Sequence, residues 1–266
     1  MIKNSQIVTI LILIFFFGCN SENEIIDPNY PTVIEELSDL EIEQIISQLE
    51  QTPLINCQSI DSYGFPIIDT DDTLCIDEDE WKADTSSTVI KEMAKQAFSD
   101  YASFLNITDT SEYQIKAITT SEGMTYSKFR SKYTDSLPPA WFVSTAIQEY
   151  EGIEVRGTTL QVLLSPDEAI GIRGHWYDDI YIPEEDVYSK EDAKELIYNT
   201  LYEYSGSEII PTESSTWHTS KKIIVPVRES NYIEIRVCWA IYPDSWEFLI
   251  DSQTGDVISY LDVDEL

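Results

Sequence analysis

The sequence is short of bases. Sixteen Lys and Arg stand against 49 Asp and Glu in 266 residues, a formal net charge of −33. A chain this negative repels DNA, RNA and anionic lipid headgroups, which excludes a sequence-independent nucleic-acid binder. Histidine is scarcer still: only His175 and His218 are present. Neither has a paired His or Cys at ligand spacing, and no His-Glu-x-x-His occurs, so no zinc site is expected and no cofactor is indicated. No Gly-x-Ser-x-Gly occurs either, which removes the commonest hydrolase signature. Carboxylates are everywhere in a chain with 49 acids, so their pairing says nothing about acid/base work. The expectation is a protein without catalytic residues. What is plentiful is apolar material, with 42% hydrophobic and 12% aromatic residues, so the acidity does not signal disorder. At about 100–200 residues per domain the length allows one large domain or two small ones.

The start of the chain carries an address. Lys3 is followed by the apolar run Ile7–Phe17 and then by Gly18 and Cys19. A basic start, an apolar run and a small residue are the plan of a secretory signal, and the run falls short of the roughly 20 residues that span a bilayer. Phe16-Phe17-Gly18-Cys19 resembles a bacterial lipoprotein box, in which the Cys is acylated and becomes the new N-terminus. Residues 1–18 are therefore expected to be a signal peptide. Cys19 is the expected lipid-bearing residue, and the cell envelope, at the outer membrane or cell surface, the expected location. In an oxidising compartment Cys57 and Cys75, close together in a loop-like stretch, form a credible disulfide. Cys238, inside the apolar run 237–241, is expected to be a buried free thiol.

Residues 19–85 read as an acidic tether through about residue 31, a short helix and an irregular disulfide loop. The helix starts at the capping box Ser38-Asp-Leu-Glu41 and continues through Ile42, Ile45, Ile46 and Leu49. The acids at 69–72 and 77–80 could offer calcium hard oxygen ligands. They lack the Gly an EF-hand loop needs at its sixth position, and they read as a solvated loop.

The rest divides into two stretches of similar plan, 86–180 and 181–266. The first opens with a helix over 87–105, striped by Val89, Met93, Ala97, Tyr101 and Phe104. Strand-like runs follow at 112–120, 140–149, 153–164 and 169–174. The second opens at the cap-like Ser189-Lys-Glu-Asp192, with Ala193, Ile197, Leu201 and Tyr204 at helical spacing. Its strand-like runs are 221–228, 231–242, 245–251 and 256–261. Leu160, Val162 and Leu164 match Trp246, Phe248 and Ile250 as alternating faces of corresponding strands. The expected fold is α+β: two tandem modules, each a helix packed on an antiparallel sheet of about four strands.

Tyr188–Ile197 and the run Trp246–Ile258, with its Asp251-Ser-Gln-Thr-Gly-Asp-Val257 hairpin, resemble the start and end of a PepSY domain. Residues 152–157, 160–162 and 169–174 are similar to the companion FTP-type module. Together these cover about residues 87–266, in the order found in thermolysin-like propeptides. Such modules assist and inhibit a zinc peptidase, and none accompanies them in this sequence. The resemblance therefore implies a protein partner met in trans. A second possibility lies between the modules, where His175, Trp176, Tyr177 and Tyr181 could form a glycan or small-ligand surface. Such residues also commonly pack a seam. His218, in a Ser/Thr-rich loop, is expected at the surface.

Overall fold

The computed structural model describes residues 27–49, 58–68, 86–102, 114–120, 122–133, 140–166, 168–204 and 207–262. Cys19, Cys57, Cys75 and the acids at 69–80 lie outside them. The chain opens with β1 (Thr32–Glu35), α1 (Asp39–Leu49) and a short hairpin, β2 (Gln58–Ile60) and β3 (Pro66–Ile68). α1 begins at the expected capping box. A Glu41 carboxylate oxygen accepts the Ser38 amide at 2.8 Å, and Ser38 Oγ accepts the Glu41 amide at 3.4 Å.

The first module is α2 (Ser87–Tyr101), β4 (Ile115–Thr119), α3 (Tyr126–Lys132), β5 (Trp141–Thr145), the tight hairpin β6 (Glu149–Tyr150) and β7 (Ile153–Glu154), β8 (Leu160–Leu164) and β9 (Ala169–Gly174). β4, β5, β8 and β9 pair antiparallel in that order. One face of this sheet, carried by Trp141, Val143, Leu160, Val162, Leu164 and Ile172, packs on Ile90, Ala94, Ala97 and Phe98 of α2. Each fully buried side chain of this size contributes about 1.5–3 kcal/mol. The buried face of α2 is broader than the sequence stripe: Ala97 and Tyr101 are buried and Met93 packs on the core as expected, with a neighbouring series buried beside them. Val89 is 50% exposed, while Ile90, Ala94 and Phe98, the neighbouring i, i+4 series, point inward. The two series lie side by side on the helix, and the core takes both except at Val89. α2 closes at Tyr101, and Phe104 lies outside the described residues.

The second module is α4 (Lys190–Ile197), the hairpin β10 (Tyr202–Tyr204) and β11 (Ser207–Ile209), and the meander β12 (Lys221–Arg228), β13 (Tyr232–Ile241), β14 (Trp246–Asp251) and β15 (Val257–Asp262). Ala193 and Ile197 of α4 pack on Ile241, Phe248 and Ile250. Phe248 and Ile250 thus stand under α4 as Leu160, Val162 and Leu164 stand under α2, and the structure is α+β with a helix on each antiparallel sheet. α4 is shorter than its sequence stripe. Tyr198 is extended and Asn199 sits at φ 56°, so the helix ends at Ile197. Leu201, expected on its buried face, is 51% exposed just before β10.

The largest departure lies at the N-terminus. Residues up to 31 read as a tether, yet Tyr30 is buried, and directly after it β1 pairs antiparallel with β13, from Thr32 opposite Ile235 to Glu35 opposite Tyr232. β14 takes the same edge of β13 from Cys238 onward, which leaves the Val237 amide between the two strands. Tyr30 fills that gap: its hydroxyl accepts the Val237 N–H at 2.9 Å and donates to Asp251 Oδ2 at 2.9 Å. Cys238 is free and fully buried, as expected, and burial pushes its thiol up so that it stays protonated.

Candidate functional site

The 174–181 stretch sits where the modules meet. β9 ends at Gly174, whose φ is +131°; a Cβ there would stand 2.0 Å from the Thr159 carbonyl oxygen. Only glycine permits that approach. Beyond it the side chains part. Trp176 is buried in the first module's core and forms one wall of a pocket of about 400 Å³, with Gln114, Ile147, Glu149 and Glu151 on the other walls. Tyr177 is buried on the other side, edge-on to Phe65 at 5.1 Å between centroids. Its backbone is clasped by the buried Gln148, which donates Nε2 to the Tyr177 carbonyl at 2.6 Å and accepts its amide at 3.0 Å. Burial pushes the Tyr177 hydroxyl up to about 12. Tyr181 reaches the N-terminal segment, its hydroxyl donating to Asp27 and its amide to Thr32 Oγ1 at 2.8 Å. Tyr177 therefore packs the seam, while Trp176 belongs to the first module's core and, of the four candidates, is the one that lines the pocket.

His175 lies half-buried against Phe65, 4.9 Å between ring centroids, and 4.0 Å from Asp61 Oδ2. The same Asp61 oxygen takes Arg228 Nη2 at 3.1 Å, and Asp61 Oδ1 accepts the Tyr63 and Phe65 amides at 3.0 and 2.9 Å. This Asx turn brings β2–β3, β9 and β12 to one point. Burial holds the imidazole below its ordinary pKa, and Arg228 works in the same direction; Asp61 opposes them without prevailing. Because the folded-state value lies below the unfolded one, the unfolded chain binds the proton first. His175 therefore contributes stability above pH 6.5, and this is lost as pH falls through the lowered folded-state value. The drop in Tm between pH 7.5 and pH 5.5 should be smaller in His175→Gln than in the wild type. An equal drop would remove His175 as the cause. His218 is exposed, as expected.

Two polar constellations that sequence spacing does not reveal fasten the second sheet, one across the seam to the first module and one to the N-terminal segment. β7 runs beside β12 through a parallel bridge between Val155 and Ile224, and the Arg156 amide donates to the Ile224 carbonyl at 2.8 Å. The Arg156 guanidinium then grips Glu247 of β14 with two bonds of 2.5 and 2.6 Å, and Tyr242 donates to the same carboxylate at 2.6 Å. Burial works to raise the Glu247 pKa, but the bonds from Arg156 and Tyr242 outweigh it and hold the group below its ordinary value. In the hairpin that carries the family resemblance, Asp251 Oδ1 accepts the Gln253 and Thr254 amides at 2.7 and 3.1 Å, while Oδ2 accepts Tyr30 and Arg236. Gly255, at φ +73°, lets the turn close against Tyr188 and Leu196. The Asp-x-x-Thr-Gly pattern is thus a turn whose Asp also secures the N-terminal segment. Among the described residues no three His, Cys, Asp or Glu side chains gather closely enough to hold a metal ion. No described helix is long and apolar enough to cross a membrane.

No family model matches the chain, and no curated protein matches it. Among solved structures it is similar to the C-terminal domain of YpeB from Bacillus megaterium, with a TM-score of 0.31 and 12% identity over 86% of this chain and 98% of that one. The PepSY relationship rests on the motifs at Tyr188–Ile197 and Trp246–Ile258.

Proposed function

We propose that the protein is a lipid-anchored, extracytoplasmic protein without catalytic activity whose two modules bind another protein. A secreted peptidase, inhibited or assisted in folding, is the partner the motif resemblance suggests. The observation that supports a binding role most is the use made of the buried ionisable groups. Glu247 is spent on Arg156 and Tyr242, and Asp251 on Arg236 and Tyr30. These groups fasten elements together instead of facing a cavity, as suits a rigid platform. The anchor reading rests on Lys3, the apolar run and Cys19. Asp27 is tied to Tyr181 and the chain enters the second sheet at Thr32; eight residues of chain from Cys19 to Asp27 span at most about 30 Å, which would keep the modules near the membrane. Affinity recovery from the native envelope, with the full chain as bait, should return one abundant protein. Recovery of none would overturn the reading. Cys19→Ala should abolish incorporation of a labelled fatty acid.

A second reading, a glycan- or small-ligand-binding lipoprotein, draws on the pocket beside Trp176, where an indole wall meets two carboxylates and an amide. Titration with soluble glycans should then give a saturable change in Trp fluorescence that Trp176→Phe diminishes. A flat titration leaves only the protein-binding reading.

A further inference from the structure

The β10–β11 hairpin is satisfied on its inner face and unbalanced on its outer one. Tyr202 and Ile209 stand directly opposite each other and pack toward the second module's core, Tyr202 edge-on to Phe248 and Tyr260 at 4.8 and 5.1 Å. Alternation then places Glu203, opposite Glu208, on the outer face. Leu201 and Ile210 stand one residue beyond the ladder on each strand, on the side that alternation gives to Glu203 and Glu208, and the Asn199 amide, donating to the Pro211 carbonyl at 2.8 Å, holds the two segments together there. Leu201 and Ile210 are about half exposed, at 51% and 48%. Glu203 and Glu208 are exposed, and among the described residues neither takes part in an ion pair.

Each of these features costs the isolated protein something. Like charges directly opposite on paired strands destabilise the pair, and a two-stranded ribbon is marginal to begin with. An apolar pair beside them keeps hydrocarbon in water. A single occupant relieves both, provided it carries an apolar side chain flanked by cations. A second copy of the chain does not, since it presents the same carboxylates and a net charge of −33. The parts of the chain outside the described residues do not either, because their only bases are Lys3 and Lys82.

We infer that the outer face of β10–β11 is the docking surface for a partner segment in which Lys or Arg side chains flank an apolar one. The cations meet Glu203 and Glu208, and the apolar side chain covers Leu201 and Ile210. This rests on the reading that the protein binds another protein, and it adds the chemistry of the segment bound.

The test uses the full chain and two fluorescent octapeptides, one alternating Lys and Leu and one alternating Glu and Leu. The Lys-Leu peptide should bind and the Glu-Leu peptide should not. Glu203→Gln with Glu208→Gln, and separately Leu201→Ser with Ile210→Ser, should each weaken binding roughly tenfold. Glu36→Gln with Glu43→Gln, which removes the same charge from an exposed surface elsewhere, should change it less than about twofold. Equal weakening by that control pair, or none by the hairpin variants, overturns the inference in favour of diffuse attraction to an acidic surface. Folding is read independently. Glu203→Gln alone should raise Tm by about 1–3 °C through relief of the like-charge pair, and a fall in Tm would contradict the imbalance. If the native partner is recovered equally well by wild type and by the Glu203→Gln/Glu208→Gln variant, this surface is wrong while the binding reading stands. If wild type recovers no partner, it is the binding reading that fails.

Discussion

Asp251→Ala should be among the most destabilising single substitutions in the chain, costing about 3–5 kcal/mol and lowering Tm by on the order of 10 °C. The carboxylate is fully buried and accepts four bonds, from Tyr30, Arg236, Gln253 and Thr254. Its removal leaves the Tyr30 hydroxyl and one arm of Arg236 without their acceptor and opens the turn closed by Gly255. Burial works against the Arg236 charge, but the Glu234 and Asp251 bonds outweigh it and hold the guanidinium firmly charged. The ion therefore cannot escape by losing its proton. Asp251→Asn separates the contributions: the amide oxygen can still take the two turn amides, while the ionic bond to Arg236 is lost. Tyr30→Phe should cost about 1–3 kcal/mol through the orphaned Val237 N–H, and should expose the 27–35 segment to protease. Chemical denaturation of the three variants measures the series. A loss below about 1 kcal/mol for Asp251→Ala would show that the N-terminal segment and the hairpin are not held through this carboxylate.

What could be read from the sequence was whatever is local in the chain. The boxes at Ser38 and Ser189 announce their helices because both partners lie within one turn. Strand alternation at Leu160–Leu164 and Trp246–Ile250 identifies the core faces because its period is fixed by the pleat. The Cys238 thiol was legible for the same reason, lying inside an uninterrupted apolar strand. β1 was not, since its four residues become a strand only by meeting β13, some 200 positions away. Pro28-Asn-Tyr-Pro31 carries the composition of a loop even though Tyr30 is buried. Leu201 misled for a related reason. Its spacing continues the stripe of α4, but Asn199 turns the chain before the stripe can be used. The candidate site divides the same way. The aromatic run at 175–181 is visible in the sequence; its Tyr177 packs the seam, while its Trp176 turns into the first module's core. Asp61, Phe65, Gln148 and Arg228 were not visible, because each acquires its role from a residue on a distant element.

Arg156→Ala should have the other large effect, and a different one in kind. The guanidinium reaches from the end of β7 in the first module to Glu247 in the second, 91 positions along the chain. Glu247 is 2% exposed, so the alanine variant strands a buried carboxylate with the Tyr242 bond and the more distant charge of Lys221 as its remaining support. Leaving one partner of a buried pair uncompensated costs about 3–5 kcal/mol. Because the bond joins the modules, the loss should fall on their coupling. Calorimetry should show a single wild-type transition broadening or dividing in two, the second module's meander unfolding apart from the α2 sheet. Glu247→Gln on the Arg156→Ala background should recover part of the loss, since a neutral amide can still accept from Tyr242 without a stranded charge. The cycle of Arg156→Ala, Glu247→Gln and the double variant should give a coupling energy of about 1–3 kcal/mol. Strict additivity would show that the pair, despite its two short bonds, does not hold the modules together. The rigid platform on which partner binding depends would then have to rest on Val155 and Ile224 and the apolar side chains around them.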